Sequence, residues 1–414
     1  MLKKLLVLSL LSLAIIVFAA CFGESPAPAP ADPEPNPVAE ADVDPIDDTA
    51  SADEALADDV TEEPAFVETW RVGIITGSLE QSPEEYLAAR RLEERFPNIV
   101  IRTTYPDNFG AEMQTTIDNV QALANAGARA IVINEAVPGT ITAIQNTRQV
   151  FDDDIFFFVG STHEPPAEVA RHADIAMTTD SISMGHAIMQ QANAMGADTF
   201  VHISFPRQLG MANVAQQHEL LQQTAQALDI EWIDITAPDP MTEGVTTAQT
   251  FIMENIPLLV AQHGPNTAFF STSCEMQEAL ITQIAEHGGL FPSQCHPNPF
   301  HAFPAAFDIS MEGNEGDASF IINQTRIAIA QAGGTGRFST WHVSMNMALI
   351  EIGVLYSIEY LEENIERHDR DALRRIINEV ATTHNTTFQV TNWPLDDDTF
   401  IDNFYMILAD FVNF

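Results

Sequence analysis

From Trp70 onward, short apolar runs alternate with stretches whose apolar residues recur every three or four positions. Residues 70–76, WRVGIIT, predict a buried strand. Ser82-Pro83-Glu84-Glu85 predicts a helix start, with Ser82 as N-cap, Pro83 at the first helical position and Glu85 closing a capping box. Ala88, Leu92 and Phe96, four apart, share one face of that helix. Strands at 99–105, 128–134 and 155–161 follow, with helices at 111–125 and 140–150 between them. The strands are continuously apolar, as in a parallel sheet covered on both faces.

A second series begins after a run at 175–180. Helices at 184–195, 213–228, 246–262 and 275–286 alternate with strands at 199–205, 231–236 and 267–273. The simplest architecture is α/β, with two doubly wound parallel-sheet lobes of five or six strands each. Lobe 1 spans 70–177 and lobe 2 spans 178–302. Residues 303–414 do not form a third unit of that size. They predict a strand at 303–310, helices at 318–332, 343–363 and 371–383, and a short aromatic tail from Phe388. These segments return to complete both lobes through multiple hinge crossovers.

Ahead of Trp70 the pattern changes. Lys3 and Lys4 precede a 16-residue apolar run, Leu5 to Ala20. A bilayer span needs roughly 20 residues, so the segment predicts a signal peptide over 1–20. Phe18-Ala19-Ala20-Cys21 resembles a bacterial lipobox, with Phe18 in place of the usual aliphatic residue. The resemblance implies lipidation of Cys21 and an extracytoplasmic protein anchored to the cell membrane. An ordinary secretory signal or an uncleaved anchor is the alternative. Residues 21–69 then predict a disordered tether. Positions 22–69 hold 15 of the chain's 59 acids and no basic residue, and such a segment lacks the apolar area to offset its ordering entropy.

Charge narrows the partners. Beyond the tether, 44 acids face 15 arginines, which argues against nucleic acid or anionic lipid. Lysine occurs only at positions 3 and 4. That excludes a P-loop lysine and a Schiff-base or pyridoxal-phosphate lysine in the mature chain, and no cofactor is expected.

Three stretches carry a resemblance. VGIITGSLEQS at 72–82, TTDSISMGHAIMQQANAMGA at 178–197 and TAFFSTSCEMQEALI at 267–281 resemble, in that order, the first strand and ligand loop, the hinge strand and next helix, and a later ligand loop of type I periplasmic solute-binding proteins. TYPDNF (104–109), INEAVPGT (133–140), HISFPR (202–207), TAPDP (236–240), AFFSTSC (268–274) and GRFSTW (336–341) together resemble an uncharacterised bacterial lipoprotein family, a domain of unknown function in that superfamily. The resemblance covers about residues 70–414. It implies the fold and the location, and leaves the ligand open.

In open α/β sheets, ligands sit beyond the carboxyl ends of the strands. That rule selects Gly77, Ser78 and Gln81, then Asp107 and Asn108, Asn134 and Glu135, and Thr162 and His163. From the second series it selects Phe205, Pro206 and Arg207, then Ser273, Cys274 and Glu275. Arg207 offers a bidentate fork to a carboxylate, phosphate or sugar diol, or else a surface ion pair. Tyr105, Phe205 and Trp341 are candidate aromatic walls, or else core.

Cys274 and Cys295 form an even pair beyond Cys21, and each follows a predicted strand. They can meet within the Cα separation of about 5.5 Å that a disulfide needs. A reactive thiol pair, or a metal site with His296 and His301, is the alternative. The spacing Cys-His-x4-His matches no recognised metal pattern, so no metal is expected. The acidic clusters at 152–154 and 396–398 lack the spacing of calcium loops and read as solvated turns.

The expectation is a solute-binding protein that closes over a small polar ligand, sugar- or nucleoside-like, and delivers it to a membrane permease. A sensor presenting its closed form to a receptor or kinase is the alternative. A hydrolase is the lesser one: Gly-x-Ser-x-Gly and His-Glu-x-x-His are absent, and only Ser204 near His202 suggests a nucleophile.

Overall fold

The apolar runs of the first series are covered on both sides because successive residues enter different cores. Val72, Ile74, Val132, Phe156 and Phe158 face one core, and Ile75, Ile131, Ile133, Phe157 and Val159 the other. Each such side chain contributes about 1.5–3 kcal/mol on burial. The computed structural model describes residues 70–151, 154–395 and 399–414. The predicted signal, tether and Cys21 lie outside the described residues, as do Asp152, Asp153 and residues 396–398.

Strands Arg71–Thr76 (β1), Val100–Thr104 (β2), Ala128–Ile133 (β3), Phe156–Gly160 (β4) and Ile175–Thr179 (β5) are parallel, in the order β2-β1-β3-β4-β5. Thr199–Ser204 (β6), Glu231–Thr236 (β7) and Thr267–Ser271 (β8) form a second parallel sheet, ordered β7-β6-β8. Single bridges extend it through Leu290, Phe291 and Phe338. The second sheet is therefore smaller than the five or six strands expected.

The C-terminal segments divide between the sheets. Ser339–Trp341 (β9) pairs with Phe411–Asn413, the last strand, numbered β12 below. Between them, Phe388–Pro394 (β10) and Phe400–Ala409 (β11) enlarge the first sheet to seven strands, β11 running parallel to β5 and β10 antiparallel at the edge. Helix Met345–Leu361 lies against the first sheet, so closely that a Cβ on Gly353 would stand 2.7 Å from the Phe158 ring. The chain thus passes from the first sheet to the second after β5, back before that helix, and across again between β11 and β12.

Two local expectations are corrected. Residues 303–310 hold a short helix, Phe303–Ala306, not a strand, with Pro304 in its first turn. The capping box does not form either: Ser82 makes no cap bond, and Glu85 turns into the protein. Among the described residues, no helix is long and apolar enough to cross a membrane.

Candidate functional site

The order β2-β1-β3 makes a topological switch point, because connections leave β1 and β3 toward opposite sides and open a crevice at their carboxyl ends. Gln81 to Glu85 follow β1 and Glu135 follows β3, so the sheet brings them together there. Ser161 and His163 follow β4. Opposite stand Asn213, Gln217, Thr272 and the loop from Cys295 to His301, and Ser344 to Asn346 enter at the start of helix Met345–Leu361. These residues enclose a cavity of about 960 Å³ between the two sheets, within the range of small-molecule sites.

The wall is built around carboxylates. Glu85 is buried. Its Oε1 accepts from Asn346 Nδ2 at 2.7 Å and its Oε2 from Asn134 Nδ2 at 3.0 Å. The same Asn346 nitrogen reaches Glu135 Oε1 at 3.4 Å, and Ser161 Oγ donates to Asn346 Oδ1 at 2.6 Å. Ser82 Oγ donates to Glu135 Oε2 at 3.1 Å. Across the cavity, Asn298 Nδ2 donates to Glu84 Oε1 at 2.7 Å. Burial pushes the Glu85 carboxyl well above the usual range, and the neighbouring Glu135 adds to this. Burial also raises Glu84. The first turn of a helix favours carboxylates, but desolvation outweighs that here.

Strain sits at the same place. Glu135 and Ser161 both have positive φ, 49° and 47°, which costs about 1 kcal/mol or more per non-glycine residue. Gly160, next to Ser161, is required because a Cβ there would lie 2.3 Å from Asn134 Oδ1. That oxygen is buried without a partner. The neighbourhood is held in a defined conformation at an energetic cost.

Of the residues read from the sequence, Gln81, Glu135 and His163 stand on the cavity wall, along with Cys295, His296 and His301. Others do not, each for a local reason. Ser78 Oγ bonds Asp107 Oδ1 at 2.9 Å in an exposed loop, where Asn108 accepts two turn hydrogen bonds. Gly77 packs against Ser82, and Thr162 bonds Glu164. Asn134 is fully buried beneath Glu85. Ser273 is buried and donates to the exposed Glu275 at 2.6 Å, while Thr272 next to it reaches the cavity.

The aromatic walls and the guanidinium fork are corrections. Tyr105 is buried and donates to the Asn134 carbonyl at 3.0 Å. Phe205 is core. Trp341 is fully buried, bonds Ser293 Oγ at 3.1 Å and packs on Phe411. Arg207 is locked to Asp239 by two bonds of 2.7 and 2.8 Å, with Pro206 starting the short helix beneath it, away from the cavity. Ser204 shares a hydrogen bond with Thr272, whereas His202 pairs with Asp234 at 2.9 Å. Sequence reasoning missed Glu84, Ser161, Asn298 and Asn346. The signal for Asn346 was an amide inside the otherwise apolar stretch MNMALI, 345–350.

Cys274 and Cys295 form a disulfide with a Cα separation of 5.5 Å. It ties the end of β8 to the loop that carries His296 and Asn298 into the cavity.

A family model described as "Protein of unknown function (DUF3798)" matches residues 70–339, more than half of the chain. The chain belongs to the DUF3798 family. Two uncharacterized proteins of Treponema pallidum (strain Nichols) are similar to this DUF3798 protein. One is 32% identical over 182 residues, 42% of this chain and 82% of its own; the other is 29% identical over 167, covering 39% and 75%. Among solved structures, a putative transcriptional regulator from Clostridium difficile 630 superposes with a TM-score of 0.76 at 16% identity, covering 84% of this chain and 100% of its own. A sugar ABC transporter protein from Actinomyces odontolyticus ATCC 17982 gives 0.51 at 11% identity, covering 72% and 86%. The DUF3798 protein therefore has the type I periplasmic-binding-protein-like α/β fold.

Proposed function

We propose that this DUF3798 protein is a solute-binding protein that captures a small polar ligand in the cavity between its sheets. The observation that carries the reading is the wall itself. Its described residues include four glutamates and no arginine or lysine, and its amides and hydroxyls are already directed at carboxylate oxygens. Such a wall favours a ligand rich in hydrogen-bond donors, a sugar or nucleoside first and an amine next, and disfavours an anion. Closure by hinge bending at the three crossovers would bury the ligand by shifting an open–closed equilibrium.

A lipid on Cys21 would hold the protein at the extracytoplasmic face of the membrane, and the acidic tether would let it reach a permease. Native mass spectrometry of the purified chain tests the capture step. The expected spectrum contains a retained neutral or cationic small molecule that is lost on denaturation. A retained anion would contradict the donor-rich ligand class.

A further inference from the structure

The disulfide lies among imidazoles. Ligand atoms of Cys274, Cys295, His296 and His301 all fall within 4.8 Å of one another. His296 Nδ1 stands 3.4 Å from Cys274 Sγ and 3.2 Å from Cys295 Sγ. A tetrahedral zinc ion with Zn–S near 2.3 Å and Zn–N near 2.0 Å holds nitrogen and sulfur ligands about 3.5 Å apart. His296 therefore already stands at about ligand spacing from both sulfurs. The His301 ring lies 4.8 Å from the His296 ring, centroid to centroid, and its Nε2 is buried without a hydrogen-bond partner. A buried polar atom left unpaired is costly, and a metal ion would use its lone pair.

We propose that, once the disulfide is reduced, Cys274, Cys295, His296 and His301 form a four-ligand site for a thiophilic cation, Zn²⁺ or Cu⁺, in the wall of the cavity. Two thiolates and two imidazoles are a donor set that selects such ions over calcium or magnesium. The balance is simple. A dithiol reductant gives two electrons and two protons to the S–S bond, which breaks to two thiols as the reductant closes its own disulfide. Ion binding then releases the two thiol protons. In a tetrahedral site the sulfurs stand about 3.8 Å apart. Cys295, His296 and His301 border the open cavity, which gives the loop room for that separation. Disulfide and ion are mutually exclusive, so redox state decides which one fixes the loop carrying Asn298. This site does not depend on capture of any solute.

The test uses the full chain carrying Cys21→Ser, which leaves only the two cysteines in question. Zinc affinity is measured by chelator competition, with the disulfide intact and after anaerobic reduction, and Co²⁺ substitution reports the ligand geometry. The expected result is one zinc per reduced chain, a tetrahedral thiolate–cobalt spectrum and no comparable binding by the oxidised chain. His301→Ala keeps both thiols and should weaken zinc binding in the reduced chain by more than about tenfold. Equal binding by oxidised and reduced protein, no binding by either, or unchanged affinity in His301→Ala would overturn the proposal. So would a reduced chain that unfolds, followed by circular dichroism, and that zinc does not restore.

Discussion

Asn298 and Glu84 are 214 residues apart in the chain, and the Asn298 side-chain amide donates to the Glu84 carboxylate at 2.7 Å across the cavity. Glu84 belongs to the helix after β1, whereas Asn298 rides on a loop fastened to the second sheet by the disulfide and by Leu290, which bridges β8. This bond, with one from the Met345 N–H to the Pro297 carbonyl at 3.2 Å, ties that loop to the first half. Asn298→Ala leaves a largely buried carboxylate without that partner, at a cost of about 1–3 kcal/mol. We expect a lower unfolding midpoint and, in small-angle X-ray scattering, a larger mean radius without ligand. An unchanged radius would show that this contact does not hold the halves together.

The disulfide closes a loop of sequence separation 21. In the chain-entropy account, a loop of that size stabilises by about 3 kcal/mol. Replacing both Cys274 and Cys295 with Ser should lower the denaturant midpoint accordingly. Because it frees the loop that carries His296 and Asn298, it should also broaden the scattering profile more than Asn298→Ala does.

Arg207 and Trp341 separate fold from site. Arg207 is about half exposed and paired with Asp239, so Arg207→Ala should barely change stability and leave ligand affinity unaltered. Trp341 fills core against Phe411. Trp341→Ala should cost about 3–5 kcal/mol, seen as a lowered midpoint both with and without ligand. Equal affinity in Arg207→Ala and wild type, by calorimetry, checks the first half.

Glu85 makes stability depend on pH in a known direction. Its carboxyl is raised in the folded protein above its ordinary value of 4.5 by burial and by Glu135, so the folded state binds the proton more tightly than the unfolded chain does. Folding is thus favoured at low pH, and the advantage fades as pH rises from about 4.5 through the raised value. Glu85→Gln keeps the size and removes the titration. Its unfolding midpoint should vary less with pH than the wild-type midpoint. Parallel curves for the two proteins would assign the pH dependence elsewhere.

The sequence was most legible where apolar runs were continuous. β1, β3 and β4 read directly from VGII, AIVI and FFFV because both faces of each strand are buried. β10 and β11 were not legible. They pair antiparallel with each other, and β11 joins β5, more than 200 residues earlier, so nothing local marks them. Residues 303–310 misled because FPAAF is apolar at strand length, whereas Pro304 suits a first helical turn.

For the site, strand ends found Glu135, Gln81 and His163, but a strand end does not reveal on which side of the sheet the next side chain falls. Tyr105 and Asn134 follow strands and point inward, Tyr105 to the Asn134 carbonyl and the Asn134 amide to Glu85. Glu85 was visible only as a helix-capping residue. Its role emerged from Asn346, 261 residues away.

The most direct test of capture is thermal unfolding of the full chain against a panel of sugars, nucleosides, amines and anions, run in parallel on Glu135→Gln. Glu135 faces the cavity and is bonded by Ser82 and Asn346. A ligand near 100 times its dissociation constant adds about 2.7 kcal/mol. The account predicts that one donor-rich class raises the midpoint by a few degrees and that Glu135→Gln loses most of the gain while keeping its own midpoint near wild type. A shift produced by anions alone, or one fully retained in Glu135→Gln, would contradict it.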